Sequence, residues 1–433
     1  MTFYANIGYK FKLPGGVITD GSVVLASAMP MHQLERRKFD TRYPHMENRL
    51  FDPQLYLSNI NPVTAQKACS NLASYPWFGV VNIPLYDSAL FSQTEWSTQV
   101  MSDIVNLWPR TTPTDPEIIR SGLQECIDFQ IRCGVQAIIL PSPLTTDPAT
   151  SYDEEIFWLD EGIRIAQENQ VELPIFASVA LSDLCMRFEQ PLNNRFLELI
   201  ADSISAREID GVYLILEQAL EPAETRQCGD SRTLQSMLTL VHYLSRDAGL
   251  KVIVNFMGAF GLALEAAGAE IWASGWYKSL YRLRIADYSA TGRAYPTYWS
   301  YPAVLDIHME AEFDRLVANG QLEIISDVTP ASQGLLNAAE QGIPSTQVPT
   351  WTYRQSNVAS AQEHFYRSVI QADNILSTLR GVAKIDFVNE WLDQALNNAG
   401  VIAQSIGGQI RTKVQHVNAW HQAFAAYRTD HRV

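Results

Sequence analysis

Two carboxylates and one aromatic, basic run are the residues of this chain whose types and spacing could do chemistry. Asp52 stands in Leu50-Phe-Asp-Pro-Gln-Leu-Tyr-Leu57, after a short apolar run. A carboxylate there can act as a general base, and an Asp before Pro is equally a turn former. Glu217 closes Gly211-Val-Tyr-Leu-Ile-Leu-Glu217 and would stand at a strand end, either touching a ligand or solvated. Ser178 carries a nucleophile's hydroxyl, but no Gly-x-Ser-x-Gly elbow surrounds it. The third group is Trp272, Trp276, Tyr277 and Tyr281 with Lys278, Arg282, Arg284 and, further on, Arg293. Rings beside cations can stack a base or anchor a protein, since Trp, Tyr and Arg dominate binding hot spots. Trp272 reads as core; Trp276, Tyr277 and the four basic residues read as ligand- or partner-binding.

The stretch that must position this third group opens with the apolar run Lys251-Val-Ile-Val-Asn-Phe256. A small-residue turn, a helical pattern at Leu262–Ala267 and Gly268-Ala-Glu-Ile-Trp-Ala-Ser-Gly-Trp276 follow. Strand, helix, strand is a βαβ unit with a right-handed crossover. Upstream the same alternation is regular from Asp115. Helices are expected at 115–134, 153–169, 193–206 and 231–248, and strands at 135–140, 174–180 and 210–217. Asp115-Pro-Glu117 gives the first of these helices its N-cap, Pro and acidic first turn. Earlier, Tyr9–Val24 reads as a hairpin about Pro14-Gly-Gly16, with strands at Val23–Ala28, Leu50–Leu57 and Phe78–Ile83 and a helix at Glu95–Leu107. Counted from Val23 there are eight strands. They predict a (β/α)8 barrel from about Val17 to Ala318, with active groups just after its strands.

Past Ala311 the alternation stops. The expected domains are the barrel with its hairpin (1–318), a linker (319–350) and a helical C-terminal region (351–433), with helices near Val358–Leu379, Ile385–Asn398 and Val401–Tyr427. Those helices suit a small bundle packed on the barrel or a partner-binding surface. Four of the eight histidines lie there (His364, His416, His421 and His431). His416 and Trp420 share a helix face, and without a second ligand pair they read as structural.

Lys plus Arg is 32 and Asp plus Glu is 47, a formal net charge of −15. Such a surface disfavours nucleic acid, whose binding is largely electrostatic, although Lys278, Arg282, Arg284 and Arg293 could form a local basic groove. Five dispersed cysteines (Cys69, Cys126, Cys133, Cys185 and Cys228) fit buried thiols in a reducing cytoplasm and give no zinc-ligand spacing. No signal peptide or membrane-length apolar run is seen. No metal or cofactor is expected.

Several of these stretches together resemble the tRNA-guanine transglycosylase family. They are Asp115-Pro-Glu-Ile-Ile-Arg120, Gln130-Ile-Arg-Cys-Gly-Val-Gln-Ala-Ile-Ile-Leu140, Tyr152-Asp-Glu-Glu through Trp158, Asp210-Gly-Val-Tyr-Leu214, Gly268-Ala-Glu-Ile-Trp272, and Arg282 with Gly292-Arg293. The resemblance runs from Val17 to Arg293 and rests on their collinear order. It implies a (β/α)8 barrel that exchanges guanine for a 7-deazaguanine in RNA. At the position matching that family's nucleophilic aspartate the chain has Ala273. An alanine cannot attack an anomeric carbon. The Asp-Ser-Gly-Gly turn falls on Asp52-Pro-Gln-Leu55, the base-recognition loop on Ala177-Ser-Val-Ala180, and the later Gly-Gly on Ile215-Leu216. No cysteine follows Arg293 to supply the zinc motif.

A member so altered resembles the barrel protein of certain bacterial cyclic-oligonucleotide anti-phage (CBASS) operons. That resemblance implies a protein partner, the cyclic-oligonucleotide synthase (a nucleotidyltransferase), beside an enzyme of 7-deazaguanine chemistry. The other expectation is an active transglycosylase using Asp52 and Glu217 in place of the missing aspartate.

Overall fold

A computed structural model describes residues 2–8, 10–37, 42–79, 106, 108, 111–289, 293–406 and 411–433. Its centre is a parallel sheet of eight strands: β1 (Phe3–Ile7), β2 (Gly21–Leu25), β3 (Arg49–Asp52), β4 (Ile138–Leu140), β6 (Ile175–Ser182), β7 (Gly211–Glu217), β8 (Lys251–Asn255) and β9 (Ile271–Ser274). A two-residue strand, β5 (Leu144–Thr145), adds to the edge of β6. The hydrogen-bonded path runs β3-β2-β1-β9-β8-β7-β6-β4, so the strands follow one another round the sheet in chain order. Its two ends, β3 and β4, meet where Gln136 N donates to Arg49 O at 3.0 Å. The sheet is therefore a nearly closed barrel.

Helices α1 (Pro116–Cys133), α2 (Asp153–Glu168), α3 (Arg195–Ser205), α4 (Ser231–His242) and α5 (Gly261–Ala267) alternate with the later strands. The first begins as its residues dictate: the Asp115 carboxylate accepts from Glu117 N and Ile118 N, and Gly134 ends it in the left-handed region. It buries Ile119, Leu123, Ile127 and Gln130, spaced three and four apart along one stripe.

In-register neighbours of a parallel sheet share a face, so the pairing identifies the barrel's interior. Tyr213 pairs with Ser178 and Ile253, Asn255 with Ile215 and Ala273, and Ala273 with Tyr4. The opposite set, including Phe3, Val254 and Trp272, faces outward. At the N-terminal end Phe176 fills the interior, and a Cβ on Gly211 would come within 2.5 Å of its ring.

Three departures from the sequence reading concern the first hundred residues. The first barrel strand is Phe3–Ile7, not Val23–Ala28. No hairpin forms at Tyr9–Val24, because β2 pairs parallel to β1 and Pro14–Gly16 is a single 3-10 turn. Of the expected strand Phe78–Ile83, Phe78 closes a 3-10 turn and residues 80–83 lie outside the described residues. The helix expected at Glu95–Leu107 also falls outside them, apart from residue 106.

Beyond β9 come an antiparallel pair, β10 (Thr297–Ser300) and β11 (Leu305–His308), and short helices at Phe313–Ala318, Leu322–Ile325 and Gln333–Glu340. The last two fall within the segment read as a linker. Then follow α6 (Val358–Thr378), α7 (Val382–Ile406) and α8 (Gln415–His431). They clad the barrel. Buried Asp373 on α6 accepts from Thr2 N at 2.9 Å, Thr2 Oγ1 at 2.6 Å and Trp272 Nε1 at 3.0 Å. Lys384 on α7 pairs with buried Glu265 on α5 at 2.6 Å, and Trp420 Nε1 on α8 donates to Cys228 O. One contiguous apolar core includes both barrel and helices. No helix among the described residues is long and apolar enough to cross a membrane.

Candidate functional site

Asp52 ends β3 with its side chain inside the barrel and is fully buried. Its carboxylate accepts from Tyr56 OH at 2.7 Å, Tyr213 OH at 2.9 Å and Gln54 N at 3.0 Å. Asn255 Nδ2 donates in turn to Tyr213 OH at 2.5 Å, and Asn6 Nδ2 to Asn255 Oδ1 at 2.6 Å. This chain of polar groups links β1, β8, β7 and β3 across the interior. Burial raises the Asp52 carboxyl to about 6, against the pull of its three donors. Ala273 lies within the same interior, 1% exposed and paired with Asn255 and Tyr4.

Glu217 ends β7 on the interior face and is also buried. It accepts from Ser182 Oγ at 2.7 Å and from Ile285 N at 3.4 Å. Burial shifts its carboxyl upward too. Asp52 and Glu217 share no hydrogen-bond partner among the described residues. Ser178 is 8% exposed on β6 and pairs with Tyr213 in register.

Both carboxylates are covered by the chain itself. After β9, residues 278–289 form a strap across the C-terminal mouth: a one-turn helix Lys278–Tyr281, two bridging residues and a 3-10 turn Ile285–Ser289. Arg282 bridges to Met257 and Leu283 to Glu217, while Gln218 N donates to Leu283 O at 2.8 Å. On the β1 side Asn6 Nδ2 donates to Leu280 O at 2.8 Å, and on the β3 side Gln54 Nε2 reaches Tyr288 OH at 3.4 Å. Tyr281 lies against Gly258, whose φ of +56° and missing Cβ let the ring within van der Waals contact. The hydroxyl of Tyr281 then accepts from Ala259 N at 3.1 Å.

The basic run serves this strap. Arg282 is 1% exposed and binds Asp287 at 3.2 Å, Thr225 Oγ1 and Pro222 O. Lys278 and Arg284 pair with the same Asp287 at 3.1 Å and 2.9 Å. Trp276, expected as a binding residue, is buried beneath Arg226, whose guanidinium carbon sits 5.4 Å from the ring centroid. Tyr277 remains 41% exposed, and Arg293 is exposed.

Beside the strap, outside the barrel interior, lies a cavity of about 880 Å³. Loops after β7 and β9, the β10–β11 pair and the segment before α8 line it. Trp276, Tyr277, Lys278 and Arg293 all stand in its wall, so four of the six residues read as ligand- or partner-binding converge on one place. The wall also contains Arg226, Tyr295, Arg411 and Lys413, which the sequence did not single out. Sequence gave no signal for them: they come from three separate segments. Tyr213 did carry a signal, standing two strand periods before Glu217 on the same face.

The C-terminal histidines sit in structural roles. His364 contacts Thr329 Oγ1 at 2.9 Å and Trp299 O at 2.6 Å, and His416 contacts Val304 O at 2.8 Å. Burial lowers both rings to about 4. Among the described residues no group of His, Cys, Asp or Glu side chains could hold a metal ion. All five cysteines are buried and unpaired. Searches against models of protein families, curated proteins and solved structures found no match to this chain.

Proposed function

We propose that this chain is a (β/α)8 barrel of the transglycosylase type that works as a binding platform and performs no base exchange. The observation that carries the reading is the strap. A glycosyl exchange needs an open mouth, a nucleophile near the anomeric carbon and donors aimed at the base. Here the strap is bonded to β1, to the turn after β3 and to the end of β7, and in the interior Asp52, Tyr213, Asn255 and Asn6 are hydrogen-bonded in a chain. Ala273 stands where the resemblance would put the nucleophile.

The partner fitting this reading is a protein, and the resemblance points to a cyclic-oligonucleotide synthase of an anti-phage system. Exposed apolar residues gather around the outer cavity: Leu220 at 45%, Tyr277 at 41% and Tyr295 at 37%, with Leu184 at 50% close by, since Leu220 N donates to Asp183. Tyrosines among apolar neighbours beside cations are the composition of a binding hot spot. Size-exclusion chromatography of the chain mixed with such a nucleotidyltransferase tests this. A stoichiometric complex that Tyr277→Ala with Leu220→Ala disrupts is the expected result; separate elution of the two native proteins contradicts it.

A second reading, an enzyme using Asp52 and Glu217, draws on one observation. A carboxyl raised to about 6 has the proton affinity of a general acid–base group near neutral pH.

A further inference from the structure

The wall of the outer cavity holds more uncommitted cations than uncommitted acids. Most of its acids are already committed. Asp287 is held by three cations, Asp306 by Arg226 at 2.9 Å, and Asp230 caps α4 and pairs with Arg187 at 3.6 Å. Glu221 accepts from Gly229 N at 2.9 Å. Glu224, at the exposed rim, is the acid left over. Against it stand Arg293, Arg411 and Lys413, none of which has an ion-pair partner among the described residues.

Two buried side-chain donors of the wall point the same way. Trp276 Nε1 and Gln227 Nε2 are buried in the wall and have no acceptor among the described residues. Both are donors, and neither can be satisfied by a further donor. A ligand rich in acceptors and negatively charged would match both features.

Flat surfaces stand beside these cations. Tyr295 stacks on Tyr353 with centroids 4.4 Å apart and planes 8° from parallel, so it is a braced ring. Tyr277 packs edge-on to Trp276 at 5.2 Å and keeps much of its surface open. A volume of about 880 Å³ suits a whole small ligand, since such pockets run from about 300 to 1,000 Å³.

We propose that this cavity is a binding site for a nucleoside phosphate, with Arg293, Arg411 and Lys413 taking the phosphate and Tyr277 or Tyr295 the base. Guanidinium and ammonium groups recognise phosphate by charge-assisted hydrogen bonds, and tyrosine faces stack on any base. The inference rests on the cavity alone and stands whether or not the barrel interior is catalytic.

Isothermal titration of the full chain with AMP and GMP tests it, with adenosine, guanosine and inorganic phosphate as the separated halves. At least one nucleotide should bind with a dissociation constant on the order of 1–100 μM, and the halves should bind at least tenfold more weakly. Arg411→Gln with Lys413→Gln should weaken the nucleotide at least tenfold while the melting temperature stays unchanged. These side chains lie outside the strap and interior networks, so that variant should fold. Absence of binding by both nucleotides at millimolar concentration overturns the proposal. So does undiminished binding to the double variant, or equal binding of a nucleoside or of inorganic phosphate. Nucleotide binding is read on Arg411→Gln with Lys413→Gln, complex formation on Tyr277→Ala with Leu220→Ala and exchange on label incorporated into tRNA, so the failure of one proposal is distinguishable from that of the others.

Discussion

The Tyr213 hydroxyl donates to the Asp52 carboxylate at 2.9 Å, tying β7 to β3 across the barrel. The two strands are not neighbours in the sheet, so this bond spans the interior at the level where a barrel's substrate would enter. It also takes one of the carboxylate's lone-pair sites and accepts in turn from Asn255. Asp52 is built into the structure as a junction.

Removing that hydroxyl should therefore be felt in stability. Tyr213→Phe leaves Asn255 Nδ2 without its acceptor and Asp52 short of a donor, both in a fully buried place. An unsatisfied buried polar group costs about 1–3 kcal/mol. The urea midpoint should fall accordingly, with the far-UV spectrum of the native state retained.

The buried carboxyls set a pH dependence. Burial raises Asp52, and likewise Asp327 and Asp183, from 3.8 to about 6. A raised acid binds its proton more tightly in the folded than in the unfolded chain. Its contribution is full below 3.8 and is lost as pH rises through about 6. Stability measured by thermal unfolding should thus fall between about pH 4 and pH 6, and Asp52→Asn should flatten that slope. A steeper fall in the variant would contradict the assignment.

Cladding by the C-terminal helices predicts a third effect. Asp373→Ala removes the shared acceptor of Thr2 and Trp272 and leaves the indole N–H buried and unpaired. Loss of roughly 2–3 kcal/mol is expected from that unsatisfied donor and the lost charge-assisted bonds. Hydrogen exchange should speed up together in α6 and in β1 and β9. Exchange confined to α6 would mean that the helix is only loosely attached.

How much of this was legible in the sequence depended on whether the signal was local. Helix α1 could be placed because Asp115, Pro116 and Gly134 mark its ends within its own segment. Strands β7 and β8 are apolar runs bounded by glycine or loop residues. Strand β1 was missed because Phe3-Tyr-Ala-Asn-Ile7 has no alternation, and its partner β9 lies at the far end of the barrel. The Pro14-Gly-Gly16 turn looked like a hairpin because a turn is local and the parallel pairing that overrides it is not. Trp276 was expected at a surface from its basic neighbours, and Arg226, fifty residues earlier in the chain, covers it. The strap was illegible for a similar reason. Its pieces are one turn long, and what fixes it is contact with Asn6, Gln54 and Glu217 from three separate strands or turns.

The central claim is that the barrel interior is closed and performs no base exchange. Incorporation of labelled guanine or a labelled 7-deazaguanine into tRNA by the native chain tests it most directly. No incorporation above background is predicted. Ala273→Asp alone should not restore it, because the strap and the Asp52–Tyr213–Asn255 network still fill the site. Robust incorporation by the native chain, abolished by Asp52→Asn, would contradict the account and make Asp52 a catalytic residue.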